Sequence, residues 1–309
     1  MCLRADRRAI GANRGACGPG QIGPPSSFGL HRQRDRRMYW AYSAWGLLVD
    51  KAKIRLFVDA PLGAGQAVGL SREQAHYLMN VMRLAPGAAV ALFNGRDGEW
   101  FARLAELSRK GAVAMCERQQ GAQRGLADIW LLFAPVKKVR TDFIVEKAVE
   151  LGVARLLPVM TRYTNAERLR EDRMAAHIIE AAEQCGATAL PGFEMPVKLD
   201  KLLAGWDANR RLLFCDERGD APMIAEALNA PGPWAILIGP EGGFAPEEAE
   251  ALRSLPFCQP ASLGPRILRA DTAALSALAI WQSKLGDWGD PRHPRLGRRI
   301  ERFPASTSR

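Results

Sequence analysis

Two hydrophobic periods follow one another along this chain, and they divide it. Ile54-Arg55-Leu56-Phe57-Val58 is apolar and predicts a strand. Ser71 predicts the N-cap of a short helix, with Glu73-Gln74 in its first turn and His76 to Met82 along it. Ala89 to Phe93, Trp100 to Leu104 and Ala112 to Cys116 then predict strands, separated by turns such as Asn94-Gly95 and Asp97-Gly98. Short strands at this spacing predict a small β-barrel over residues 54–122. Gln119 to Gly125 is polar and Gly-bearing and predicts a linker. Gly63-Ala64-Gly65 before Gly69 mimics a dinucleotide fingerprint, but no apolar βαβ unit encloses it, so it reads as a loop.

Beyond the linker, strands alternate with helices. Ile129 to Ala134, Arg155 to Val159, Leu212 to Cys215, Ala235 to Ile238 and Gln259 to Leu263 predict strands. Val139 to Leu151 predicts a helix with Phe143, Lys147 and Leu151 stacked at spacing four. Glu171 to Cys185 predicts another, with Met174, Ile178 and Ala182 on one face and Gly186 closing it. Pro246 to Leu255 and Asp271 to Leu285 complete the set. Such a βα alternation predicts a mostly parallel sheet over residues 123–288.

Composition removes several function classes. At 309 residues and 48% hydrophobic content the chain has material for about two domains with sizeable cores. No apolar run reaches the length of about 18 to 20 residues that a membrane span needs. The six cysteines (Cys2, Cys17, Cys116, Cys185, Cys215, Cys258) form no C-x-x-C pair and have no histidine at metal spacing. That pattern predicts neither a metal site nor a disulfide framework, and fits reduced thiols in a cytoplasm.

The net charge of +10 invites a nucleic-acid reading, but its distribution matters. Residues 1–53 carry ten Lys/Arg against three Asp/Glu, and residues 289–309 carry six against two. The intervening chain holds 27 basic and 28 acidic residues, so the basicity belongs to the ends. Residues 1–53 read as a basic N-terminal extension, in which residues 1–37 are either a disordered basic arm or sequence upstream of a later start at Met38; these residues lack the apolar tract of a targeting peptide.

Two segments carry the chemistry. Ile238-Gly239-Pro240-Glu241-Gly242-Gly243-Phe244 follows an apolar strand and precedes a Pro-Glu-Glu helix start. Glycines there permit close approach of backbone to a ligand, and the N–H groups of a helix start favour anionic groups. No Gly-Lys-Ser/Thr follows, so this is not a Walker A loop. Ser262-Leu263-Gly264-Pro265-Arg266-Ile267-Leu268-Arg269-Ala270-Asp271-Thr272-Ala273 repeats the design, with Asp271 or Thr272 as a candidate N-cap. Arg266 and Arg269 read either as holders of negative charge on a substrate or as surface ion-pair partners, for instance Arg269 with Asp271.

Taken with three other blocks, these segments resemble the RsmE family, SPOUT-class methyltransferases that modify N3 of a uridine in 16S ribosomal RNA. The other blocks are His76-Tyr77-Leu78 to Arg83-Leu84 with Pro86-Gly87; Lys147-Ala148-Val149-Glu150-Leu151-Gly152-Val153; and Ala182-Glu183-Gln184-Cys185-Gly186. The resemblance covers residues 55–288. It implies a PUA-like β-barrel followed by an α/β domain with a C-terminal trefoil knot, S-adenosylmethionine (SAM) bound in that knot, and a homodimer. It implies cofactor contacts at Cys215, Gly239, Pro240, Glu241, Gly242, Gly243, Leu263, Gly264, Ile267 and Leu268, and RNA contacts at His76 and Arg83. The partner implied is the small ribosomal subunit; a SPOUT enzyme acting on another RNA and a non-catalytic assembly factor are the competing expectations. Glu183 and Gln184 read as support for the knot or as substrate contacts. Departures from the family pattern are Asp271 where Glu is common, Ala187 where a polar residue is frequent, and Thr161-Arg162-Tyr163-Thr164, which follows the usual polar loop loosely.

Methyl transfer to N3 of uracil is an in-line displacement and needs alignment together with a deprotonated or polarised nitrogen. The expected arrangement has Arg269, or Arg266, stabilising negative charge on the uracil carbonyls, with Asp271 orienting it; Asp271 as a general base is the lesser expectation. N3 lies on the Watson–Crick edge, so the base must be unpaired or flipped out.

Overall fold

The computed structural model describes residues 52–165, 168–218 and 220–289. The expectations for the two basic ends therefore fall almost wholly outside the described residues. The first sheet is built from β1 (Arg55–Phe57), β2 (Ala67–Leu70), β3 (Ala89–Phe93), β4 (Glu99–Ser108) and β5 (Gly111–Gly121) in the order β1-β3-β4-β5-β2. Ala112, Ala114 and Cys116 alternate inward along β5, as a half-buried strand requires. Three register shifts between β4 and β5 bend the pair around a core that includes Leu56, Val68, Leu78, Val90, Leu92 and Leu104. Two elements here differ from the sequence reading. β5 runs on to Gly121, into the expected linker, and Ala67–Leu70 is a strand rather than a loop because it pairs antiparallel with β5.

Helix α1 (Arg72–His76) starts with a reciprocal cap: Gln74 N–H donates to Ser71 Oγ at 3.1 Å and Ser71 N–H to Gln74 Oε1 at 3.0 Å. The helix does not continue to Met82 as its pattern predicts. Tyr77–Val81 is a π-helical turn, with Met82 N–H donating to Tyr77 C=O at 3.0 Å. This wider turn keeps Leu78 in the core and leaves Val81, Met82 and Arg83 exposed. Arg83 follows it at φ 53°.

The second sheet has the order β12-β10-β11-β6-β7-β8, from β6 (Ala127–Phe133), β7 (Val153–Met160), β8 (Gly192–Phe193), β10 (Arg211–Cys215), β11 (Trp234–Ile238) and β12 (Cys258–Ala261); β9 (Val197–Lys198) also pairs with β7. Every pairing is parallel. Helices α2 (Lys138–Glu150), α3 (Glu171–Cys185), α4 (Leu199–Ala204), α5 (Ile224–Ala227), α6 (Pro246–Ser254) and α7 (Ala270–Lys284) connect them. One face of the sheet packs Leu131 and Ile236 with Ile144, Ile178 and Leu278; the other packs Leu132, Phe214 and Leu237 with Leu199 and Leu252. With both faces covered, the central strands read as unbroken apolar runs rather than alternating ones.

Of the stack expected on α2, Phe143 faces outward, whereas Leu151, the C-cap residue, packs against the core. Phe143 is 40% exposed with Lys147 Nζ over its ring at 5.6 Å, while Ile144, Val145, Ala148 and Val149 form the buried face. On α3 the expected Met174, Ile178 and Ala182 are buried, and Gly186 ends the helix at φ 82°.

The two sheets are joined by the Glu183 block. Arg55 of β1 donates through Nη1 to the carbonyls of Ala182 (2.6 Å) and Glu183 (2.9 Å) and through Nη2 to that of Ala187 (2.7 Å), capping the end of α3. Its guanidinium lies 4.5 Å from the Phe93 ring centre and pairs with Glu99. Phe57 N–H donates to Glu183 Oε1 at 2.9 Å. Glu183 is thus a joint between the sheets. Burial pushes its carboxyl above the ordinary value of 4.5, with the Phe57 N–H and Arg55 opposing. A raised pKa in the folded state means that ionising Glu183 costs stability as pH climbs past 4.5. Glu183→Gln keeps an acceptor for Phe57 and removes the ionisation. Its melting temperature relative to wild type should therefore rise between about pH 4 and pH 7; a difference constant with pH would contradict this.

Candidate cofactor and RNA site

Because β10 is flanked by β11 on one side and β12 on the other, a crevice opens at their carboxyl ends, where ligands of parallel sheets bind. Asp216 N–H donates to Ala261 C=O (2.9 Å), Ser262 N–H to Pro222 C=O (2.8 Å) and Ile224 N–H to Ser262 C=O (2.9 Å), so the loops after β10 and β12 are zipped together. With the loop after β11 they enclose a cavity of about 310 Å³. All ten expected cofactor residues line it: Cys215, the run Gly239 to Gly243, and Leu263, Gly264, Ile267 and Leu268. A larger cleft of about 620 Å³, lined by Met160, Leu199, Leu203, Leu252 and Leu255 among others, includes none of them.

The cavity wall depends on missing side chains. A Cβ on Gly239 would lie 2.5 Å from the Phe244 ring, which is buried edge-on against Phe214 at 5.0 Å between ring centres. Gly264 sits at φ 109°, a region that side chains avoid, and donates its N–H to Ser262 Oγ at 3.2 Å. The backbone N–H groups of Leu263, Ile267 and Leu268 have no partner among the described residues. Unpaired backbone donors on a cavity wall are suited to reading the edge of a heterocycle.

Cys215 is buried; burial pushes its thiol up to about 12, so it contributes shape rather than a thiolate. Asp216, at the same strand end, has a side chain only 1% exposed. Burial opposes its ionisation, but hydrogen bonds from Arg218 and Arg253 outweigh that and hold the carboxyl below its usual range. Arg253 also reaches Asp220, whose carboxyl its hydrogen bonds hold down at about 2. Asp216 thereby ties the loop after β10 to α6. Arg253 carried no sequence signal, being 37 residues away from its partner.

Of the expected catalytic residues, Arg266 is exposed and lines the cavity. Arg269 is exposed just beyond the lining, as the N-cap residue of α7. Neither guanidinium has a partner among the described residues. Asp271 departs from expectation. It is not the N-cap but lies in the first turn, where its carboxylate accepts from Thr272 N–H (2.8 Å) and from Arg140 Nη1 (2.7 Å). Its cationic partner is therefore Arg140 of α2, not Arg269. Nothing local in the sequence could reveal a pair 131 residues apart. His76 and Arg83 are both exposed on the first sheet's helical edge and do not line the cavity. Among the described residues no group of three His, Cys, Asp or Glu side chains is placed to hold a metal ion, and no helix is long and apolar enough to cross a membrane.

Known proteins match this arrangement. Residues 123–282 match the family described as RNA methyltransferase domain, and residues 70–114 match the RNA methyltransferase PUA domain. The ribosomal RNA small subunit methyltransferase E of Synechocystis sp. is 31% identical over 218 residues, 69% of this chain and 71% of that protein. The protein of the same name from Rickettsia conorii is 27% identical over 230 residues, 73% of this chain and 93% of its own length. A crystal structure of the Neisseria gonorrhoeae ribosomal RNA small subunit methyltransferase E bound to SAM superposes with a TM-score of 0.69 at 28% identity, over 76% of this chain and 99% of that one. A Legionella pneumophila methyltransferase in complex with SAM superposes at 0.66, also at 28% identity, over 75% and 98%.

Proposed function

This chain belongs to the ribosomal RNA small subunit methyltransferase E family of RNA methyltransferases, and from that premise we propose that it methylates N3 of a uridine in 16S ribosomal RNA, with SAM as methyl donor. The observation that carries the reading is the convergence of all ten expected cofactor residues on one cavity at the switch point of the parallel sheet. SAM supplies a methyl group on a sulfonium. Gly239 and Gly264 leave room for the donor, and the free N–H groups of Leu263, Ile267 and Leu268 offer hydrogen bonds to its adenine. Cys215 closes the wall as a neutral thiol.

Arg269 and Arg266 then supply positive charge where the uracil carbonyls gain negative charge as N3 loses its proton. Asp271, committed to Arg140 and Thr272, fixes the first turn of α7 instead of taking that proton. His76 and Arg83, on the helical edge of the first sheet, hold RNA backbone, which carries affinity more than sequence choice. A homodimer fits the exposed apolar residues Val139 and Phe143 of α2 and Ile267 of the cofactor loop, which are 79%, 40% and 92% exposed. A ribosomal substrate places the enzyme in the cytoplasm.

The test is transfer of radiolabel from SAM to isolated small ribosomal subunits from cells lacking the modification, run beside transfer RNA. Label in the subunits alone supports the reading; label in transfer RNA alone, or in neither, overturns it.

A further inference from the structure

The turn at Thr161-Arg162-Tyr163-Thr164, where the chain follows the family's polar loop only loosely, lies against the loop after β11. Arg162 and Tyr163 are the two central residues of a β-turn closed by Thr164 N–H donating to Thr161 C=O at 3.2 Å. Thr161 N–H donates back to Thr164 Oγ1 at 2.8 Å, and the two threonine hydroxyls lie 2.9 Å apart. Arg162 N–H donates to Glu248 Oε1 at 2.8 Å, on the helix that follows Gly239 to Gly243. The turn is thus held from both sides. Its tip rests on the cavity rim, where a Cβ on Gly242 would lie 3.3 Å from Tyr163 Cβ. Yet Tyr163 is 47% exposed, its hydroxyl has no partner among the described residues, and the Arg162 guanidinium beside it is exposed and unpartnered too.

An exposed ring on a rigid turn, next to a free cation, is what a splayed-out nucleotide needs: a face to stack on and a charge for its phosphate. N3 is reachable only in an unpaired base, so some residue at this rim must hold that base out of its helix. We propose that Tyr163 is a positioning residue that stacks on the extruded uracil, with Arg162 meeting a neighbouring phosphate. The inference rests on the reading of the chain as an RNA methyltransferase and names its base-holding surface. Tyr163 meets the loop after β11 at Gly242 and lies outside the cavity lining, so its removal is expected to act on RNA rather than on SAM.

The test uses the full-length enzyme with small subunits lacking the methyl group. Tyr163→Ala should lower kcat/KM for RNA by about 5- to 100-fold, the range of one lost base–aromatic stack. SAM affinity should stay within about twofold, and Tyr163→Phe, which keeps the ring, should restore most of the loss. An unchanged kcat/KM overturns the proposal. So does a loss that follows weakened SAM binding, which would make Tyr163 a buttress of Gly242. A second readout, RNA binding measured without turnover, separates the two readings. Wild type that binds RNA more tightly than Tyr163→Ala but transfers no methyl contradicts the methyltransferase function while leaving the stacking role standing; equal binding by both contradicts the stacking role.

Discussion

Arg269→Ala is expected to lower kcat by about 10²- to 10³-fold while SAM affinity stays within about threefold, the loss typical of one preorganised donor to developing negative charge. Three observations support this split. Arg269 lies outside the cavity lining, so its side chain is not needed to hold the donor. It is unpaired among the described residues, so its removal strands no partner. And as the N-cap residue it is held by backbone, since Ala273 N–H donates to Arg269 C=O at 2.8 Å, a bond alanine also makes. Arg266→Ala should behave differently, reducing SAM affinity along with turnover, because Arg266 lines the cavity. Steady-state kinetics paired with calorimetric SAM binding check both. Full turnover by Arg269→Ala would remove that residue from the chemistry.

Gly239→Ala should have the second large effect, on binding. Its new methyl group would meet the Phe244 ring at 2.5 Å, and that ring cannot retreat, being packed edge-on against the buried Phe214. Either Phe244 leaves its place or the loop after β11 shifts into the cavity. Overpacking of this kind costs about 1–3 kcal/mol, and we expect SAM affinity to fall by about tenfold or more with a lowered melting temperature. Gly264→Ala makes an informative companion. Space is open around it, so its effect isolates the strain of φ 109° from steric overlap. Unchanged SAM affinity in Gly239→Ala would show that the loop is not the donor's wall.

The fold was legible where periodicity and punctuation agreed. Glu171–Cys185 matches its sequence reading at both ends because an apolar face at spacing four and a terminal glycine point the same way. β3 likewise matches, flanked by turn residues on both sides. The π turn at Tyr77–Val81 was not legible, since its apolar residues satisfy an ordinary helix equally well and only packing of Leu78 selects the wider turn. The loops that line the cavity were legible because their glycines are local requirements of backbone geometry and close approach. The long-range contacts were not. The ion pairs of Arg140 with Asp271 and Arg253 with Asp216, and the hydrogen bonds of Arg55 to the carbonyls at the end of α3, join residues 131, 37 and about 130 positions apart, and such contacts exist only once the chain has folded. The same applies to Glu183, whose motif was visible but whose place at the joint between the sheets was not.

The identity of the methylated nucleoside tests the central claim most directly. The full chain is incubated with labelled SAM and small ribosomal subunits lacking the modification, the 16S RNA is digested to nucleosides, and the labelled species is identified by mass spectrometry. The account predicts 3-methyluridine; label in a 2′-O-methylated nucleoside, or in no nucleoside at all, would contradict it.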